Sequence, residues 1–338
     1  MLNQITIWFF TTDSIALAVI FLMAGFVVLI KGADFLVNGA SSIAKGYGVS
    51  DLAIGLTVVA FGTSLPELIV SLFSALDGKN DATFGNVLGS NNFNLMFILG
   101  ISGVIYPLVV QRNTIRYEVP LSFGAAILLY FLVNDGMLSG GQSENILSRT
   151  DSMILLTGFA GFLYYIYMTM KDNSVSLPAE QTDQPKSIST GFALLLIITG
   201  LAMLVGGGKT VVDSAIGIAQ TFGLSEKLIG LTILAAGTSL PELATSAVAA
   251  YRKNTDIAIG NVVGSNIFNI LLILGVTGTV SPIPFNPIMN FDFYVLLGAT
   301  VLLTIFMFTL NKNKLDRWEA LILLIIFVSY TTYLILQE

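Results

Sequence analysis

The sequence predicts an all-α membrane protein, with ten transmembrane helices forming two inverted-topology five-helix repeats with broken core helices. Three observations predict it. Only 11% of the 338 residues are charged and 54% are hydrophobic, whereas a water-soluble domain carries about 25% charged residues. The apolar residues gather into ten runs of the length a bilayer-spanning helix needs, about 20 residues. The first half of the chain also recurs, motif for motif, in the second.

The runs fall near 14–41, 51–76, 83–107, 116–134, 152–171, 190–217, 226–250, 258–281, 291–310 and 315–335. The first, Ile15–Ile30 at its most apolar, lacks the basic flank of a signal peptide and has a counterpart in the second half, so it reads as a retained helix. One extended polar stretch, Lys171 to Ser187, has two prolines and no apolar period and reads as a linker. The expected organisation is a first repeat over 1–171, a linker over 172–188 and a second repeat over 189–338.

The repeats share polar residues as well as grease. IGLTVVAFGTSLPEL (Ile54–Leu68) matches IGLTILAAGTSLPEL (Ile229–Leu243), and GNVLGSNNFNLMFILG (Gly85–Gly100) matches GNVVGSNIFNILLILG (Gly260–Gly275), both at an offset of 175 residues. Because five is odd, the second repeat starts on the opposite side of the membrane, the arrangement typical of secondary transporters. Basic residues in the connections test this. One side holds Lys45, Arg112, Arg116, Lys171, Lys186, Arg252, Lys253, Lys312, Lys314 and Arg317; the other holds Lys79, Arg149 and Lys227. That bias puts the linker in the cytoplasm and both termini outside, in the cell membrane.

Composition also excludes. The chain has no cysteine and no histidine, which removes disulfides, thiolate ligands and the commonest ligand of zinc, copper and nickel. No basic, aromatic-interleaved cluster suggests nucleic acid, no obligate protein partner is evident, and no cofactor is expected.

The chemistry lies in the duplicated motifs. Spans 2 and 7 carry Gly-Thr-Ser-Leu-Pro-Glu at Gly62–Glu67 and Gly237–Glu242. An ionised carboxylate at mid-membrane costs at least a few kcal/mol, about 3 on insertion scales, and needs a partner. No lysine or arginine lies at that depth, so a cation from outside the protein is the expected partner. Pro66 and Pro241 remove helical donors and free carbonyls one turn back, beside the hydroxyls of Thr63, Ser64, Thr238 and Ser239. Spans 3 and 8 add Ser90, Asn94, Ser265 and Asn269, with Asn91 and Asn92 nearby. Two acids amid neutral oxygens suit Ca²⁺, Mg²⁺ or Na⁺, and flexible many-oxygen coordination favours Ca²⁺ over Mg²⁺. Lys31 with Asp34, and Lys209 with Asp213, have helical spacing and read as local ion pairs. Asp81 and Asp256 suit helix N-termini.

The paired GTSLPE and GN-x-x-GSN-x-x-N motifs in ten spans resemble the calcium/cation antiporter superfamily, close to prokaryotic sodium/calcium exchangers. The resemblance implies exchange of Ca²⁺ for Na⁺ by alternating access. It implies a calcium site of Glu67, Glu242 and the backbone oxygens of Thr63 and Thr238. It further implies sodium sites using Ser64, Ser239, Ser90, Ser265 and the carbonyls of Ala60 and Ala235, with spans 1 and 6 sliding as a pair. Two departures bear on coupling. Potassium-dependent relatives place an acid where Asn94 or Asn269 stands, and proton-coupled relatives carry one soon after the GN, where Val87–Leu88 and Val262–Val263 stand. Proton-coupled or potassium-dependent divalent-cation exchange are the alternatives within this fold. Outside it stand a passive channel and, more distantly, an intramembrane hydrolase using the two acids.

Overall fold

The structure is a computed structural model, and it describes residues 15–138, 144–172, 189–222, 235–309 and 313–336. The expected linker from 173 onward, and 226–234 at the start of the seventh predicted span, lie outside the described residues.

Apart from the single turn Asp135–Leu138, the α-helices of the first half are α1 (Ile15–Tyr47), α2 (Asp51–Thr63), α3 (Leu65–Leu76), α4 (Asn80–Ile105), α5 (Thr114–Val133) and α6 (Arg149–Asp172). The second set is α7 (Thr190–Thr221), α8 (Ala235–Gly237), α9 (Leu240–Tyr251), α10 (Thr255–Val280), α11 (Asn290–Phe306) and α12 (Arg317–Leu336). Eight helices among the described residues are long and apolar enough to cross a bilayer, and α2 with α3, bent by 45° at their break, make a ninth. The 175-residue offset carries α3 onto α9 and α4 onto α10 end for end.

Burial sorts the helices into an inner and an outer set. Positions 257–267 of α10 are buried without interruption, whereas α1 exposes Ile20, Met23, Val27 and Ile30 among others. Apolar side chains facing outward on a helix of this length face lipid.

Helices α1 and α7 meet through glycine. A Cβ built on Gly200 would lie 2.7 Å from Leu36 N and 2.8 Å from Gly32 O, and one on Gly207 would lie 2.8 Å from Leu29 N. With Gly25, Gly32 and Gly39 one heptad apart on α1, the two backbones touch, as small residues allow in membranes. Helix α1 runs to Tyr47, beyond the predicted end near 41. Its last turns are polar but stay helical, with the Ser42 hydroxyl donating to Asn38 O (2.7 Å).

The connections gather at two ends. At one, β1 (Leu108–Val109) pairs antiparallel with β4 (Lys314–Leu315), Gln111 donates to Asp256 Oδ2 (2.6 Å), and Asn254 donates to Asp51 Oδ2 (2.8 Å). At the other, β2 (Ile146–Leu147) pairs with β3 (Ile283–Pro284), and Asn286 donates to Asp81 Oδ2 (3.2 Å). Helices α3 and α9 end in the same left-handed turn, at Gly78 (φ 72°) and Lys253 (φ 61°). The following amides, Lys79 N and Asn254 N, reach back to Ser74 O and Ala249 O, both at 2.8 Å.

The expected pair of Lys31 with Asp34 is corrected. Asp34 is met by Arg252, from the α9–α10 turn, because tertiary packing delivers a guanidinium that helical spacing alone does not show. Lys209 does pair with Asp213, at 2.9 Å.

Candidate functional site

The site is built where two helices break. Helix α2 stops at Thr63, and α3 restarts at Leu65 with Pro66 in its first turn, where a missing N–H costs nothing. Ser64 sits in the break (φ −83°, ψ 5°), and Ser239 repeats it (φ −90°, ψ 8°) ahead of Leu240 and Pro241. Each glutamate therefore falls in the first turn of a fresh helix, where the positive end of the helix dipole favours an anion.

The halves hold each other's acids. The Ser64 hydroxyl donates to Glu242 Oε1 (2.9 Å) and the Ser239 hydroxyl to Glu67 Oε1 (3.0 Å). Ser239 Oγ also lies 3.0 Å from Ser90 Oγ, and the Ser265 hydroxyl is 3.4 Å from Glu242 Oε1. Both acids are buried, 1% exposed at Glu67 and 0% at Glu242. The second oxygen of each, Oε2, is buried with no hydrogen-bond partner.

A second layer fixes the first. Asn261 donates to Glu242 O (3.2 Å) and Ser246 Oγ (2.9 Å), leaving its Oδ1 to accept from Thr63 Oγ1 (3.1 Å). Asn86 does the same from the other half, to Glu67 O (3.2 Å) and Ser71 Oγ (2.9 Å), with Thr238 Oγ1 donating to its Oδ1 (3.2 Å). Thr63 Oγ1 also has Val59 O (3.1 Å) and Ala60 O (3.3 Å) within reach. These two asparagines were not singled out from sequence; their signal was the Gly-Asn that opens both copies of the second motif.

Beside the acids, four carboxamides interlock across the halves. Asn91 donates to Asn266 O (3.4 Å) and Asn266 to Asn91 O (3.3 Å). Asn94 donates to Asn266 Oδ1 (3.1 Å), and Asn269 to Asn91 Oδ1 (2.9 Å). Asn94 and Asn269 fall in wide π turns, Phe93–Ile98 and Phe268–Leu274, which re-aim side chains and recur at functional sites. The Oδ1 atoms of both are buried and unpartnered.

The structure thus gathers Thr63, Ser64 and Ser265 around Glu242, and Thr238, Ser239 and Ser90 around Glu67, in two matching hydrogen-bonded networks, with Asn94 and Asn269 in the amide cluster. Ala60 lies one turn before Ser64, its carbonyl accepting the Ser64 N–H (3.0 Å); Ala235 opens the short turn α8. Among the described residues no three His, Cys, Asp or Glu side chains converge, so this centre is two acids and neutral oxygens. Four buried oxygens without partners, two formally charged, are costly in protein interiors unless something positive completes them, and hard cations fit that role.

Other buried acids lie outside the centre. Glu118, on α5, accepts from Tyr165 OH of α6 (2.5 Å).

The comparisons with known proteins come to the same region of sequence space. The family profile described as "Sodium/calcium exchanger protein" matches residues 17–168 and 192–336. The CaxA protein of Alkalimonas amylolytica is 39% identical over 93% of this chain and 97% of its own, and the sodium/calcium exchanger MaX1 of Methanosarcina acetivorans is 31% identical over the same shares. A solved structure of the sodium-calcium exchanger NCX_Mj superposes with a TM-score of 0.80 at 31% identity, covering 94% of this chain and 99% of that one. The chain therefore belongs to the sodium/calcium exchanger protein family and is an ion-transporting membrane antiporter.

Proposed function

We propose that this antiporter exchanges Ca²⁺ for Na⁺ by alternating access, with Glu67 and Glu242 as the charged ligands of the transported ions. One observation carries the reading: two fully buried carboxylates, one from each half, each keep an oxygen without a partner. A single Ca²⁺ or a set of Na⁺ ions neutralises the two charges, so one centre serves both cargoes in turn. The hydroxyls of Ser64, Ser239, Ser90 and Ser265, the carbonyls of Ala60, Thr63, Ala235 and Thr238, and the amide oxygens of Asn94 and Asn269 supply the neutral ligands. Neutral amides at 94 and 269 favour sodium coupling over potassium dependence, and the likeness to MaX1 and NCX_Mj, both named as sodium and calcium exchangers, favours it further.

The same reading takes the chain as ten spans in two inverted repeats, 1–171 and 189–338, in the cell membrane. Loop contacts support it. Connections assigned to the cytoplasmic side meet only each other in the contacts described above, through β1 with β4 and Asn254 with Asp51; those assigned outside do likewise, through β2 with β3 and Asn286 with Asp81. The linker 172–188 is then cytoplasmic and both termini external.

Purified protein in lipid vesicles tests the function. Calcium accumulation is expected to follow an outward sodium gradient and to ignore a matched pH gradient. Accumulation driven by the pH gradient alone would replace sodium with protons, and flux without any counter-ion would make the protein a channel.

A further inference from the structure

Alternating access through inverted repeats has a geometric consequence. If the two access states exchange the roles of the repeats, a contact closing one face has a counterpart, 175 residues displaced, that closes the other. The structure shows one such closure. Arg252, in the α9–α10 turn, ion-pairs with Asp34 of α1 and donates to Asn38, while Asn254 donates to Ser41 Oγ (3.1 Å). Helix α9 packs against α1, and Ala244 (6% exposed) and Thr245 (0%) on it are buried.

The counterparts of Asp34 and Arg252 are Lys209 and Asp77. They again form an acid and a base, with the signs exchanged between the helix and the turn. Here they are apart from one another, each occupied locally: Lys209 with Asp213 (2.9 Å), and Asp77 with Lys79 (3.6 Å), the latter two side chains more than 60% exposed. The counterparts of Ala244 and Thr245 on α3 are open, with Ile69 54% and Val70 39% exposed. The backbone presents both turn residues alike, since Gly78 and Lys253 adopt the same left-handed conformation immediately after Asp77 and Arg252. The glycine contacts hold α1 and α7 backbone to backbone along several turns.

We infer that Asp77 and Lys209 form the latch of the opposite access state, closing α7 onto the α3–α4 turn as Arg252 and Asp34 close α1 onto the α9–α10 turn. The two latches are mutually exclusive because one rigid pair, α1 with α7, serves both. Releasing Asp77 from Lys79 is inexpensive, since an exposed ion pair contributes little. This assignment rests on the alternating-access reading above.

The chain has no native cysteine, so introduced thiols report alone. With Asp34→Cys, Arg252→Cys, Asp77→Cys and Lys209→Cys in one chain, a short bifunctional thiol reagent is expected to link 34 to 252 or 77 to 209 in any molecule, never both, as read by the masses of proteolytic fragments. The 77–209 pair alone should link in protein that still transports, and prior linkage of 34 to 252 should block it. Doubly linked molecules, or a 77–209 pair that never links in active protein, would overturn the latch. A charge exchange gives a second reading without cross-links. Asp77→Lys and Lys209→Asp should each slow exchange roughly fivefold, and the double variant should return to within about twofold of native; a double variant no better than the singles would count against the pair. Loss of sodium dependence in native protein would sink the exchange reading while leaving the cross-linking pattern intact.

Discussion

Asn261 tests whether the second layer of the site matters. Replacing it with Leu keeps the branched outline at Cγ and adds volume, so it opens no cavity, but it removes three hydrogen bonds: to Glu242 O, Ser246 Oγ and Thr63 Oγ1. Side-chain hydrogen bonds in membrane proteins average about 0.6 kcal/mol, for a total near 2 kcal/mol. Two of the three partners have alternatives. Thr63 falls back on Val59 O at 3.1 Å, and Ser246 already donates to Ala258 O at 3.3 Å. The Glu242 carbonyl keeps the Ser246 N–H of its own helix, so the lost bonds and the larger side chain together should cost only about 2–3 kcal/mol, several degrees in melting temperature. Exchange should suffer more. Asn261 is what ties the first turn of α9 to α10, and a ligand displaced by about 1 Å can cost up to a hundredfold in rate. The expected result for Asn261→Leu is a small thermal shift with sodium-driven calcium uptake reduced at least about tenfold, a change of about 1.4 kcal/mol. Asn86→Leu, with the matching contacts to Glu67 and Ser71, should behave alike. Near-native uptake in either variant, or a melting loss large enough to account for the missing activity, would refute the positioning role.

Glu67→Gln and Glu242→Gln should each abolish calcium uptake yet leave folding intact. Gln keeps the oxygen that Ser239 or Ser64 binds, while the lost carboxylate–calcium attraction is on the order of 10 kcal/mol before dehydration is counted; thermal unfolding beside vesicle uptake checks both halves of the claim. Ser64→Ala and Ser239→Ala should raise the calcium KM about fivefold, the worth of one hydrogen bond of about 1 kcal/mol, and an unchanged KM in both would show that these hydroxyls do not orient the acids. Gly200→Val should destabilise the protein by about 3 kcal/mol or more, since the new Cβ meets the backbone of Leu36 and Gly32 rather than movable side chains. Gly46→Ala, facing open space, should stay within about 0.5 kcal/mol of native in the same melting experiment.

Much of the site was legible in the sequence because polar identity within apolar helices is conspicuous. Glu67 and Glu242, repeated with their serines and prolines, could be read as meeting at one centre before any coordinates. Asn86 and Asn261 were harder. A carboxamide after glycine serves equally as filler or as a clamp, and only its neighbours decide. The Arg252–Asp34 pair was invisible for a different reason. Local spacing offered Lys31 to Asp34 one turn away, while the actual partner lies 218 positions on and arrives through the turn that follows α9. The end of α1 was misplaced because hydropathy marks where apolar runs stop, and the helix continues through Ser41, Ser42 and Lys45 on buried Ala40 and Ala44 and on the hydroxyl contacts of Ser42 and Ser41.

The interlock of Asn91 with Asn266 is unchanged when its two members trade places: each amide gives what the other's carbonyl takes. A joint of that kind ties the fates of two distant stretches of sequence, since altering either asparagine takes the donor from the other's main-chain oxygen and strands the amide of Asn269 or Asn94 that leaned on it. Divergence between the halves is tolerated one residue further on. There Asn92 faces Ile267 as its counterpart, and Asn92 turns aside to the Asp292 carbonyl (3.1 Å). The two copies have kept their shared grammar where they touch and lost it one word later.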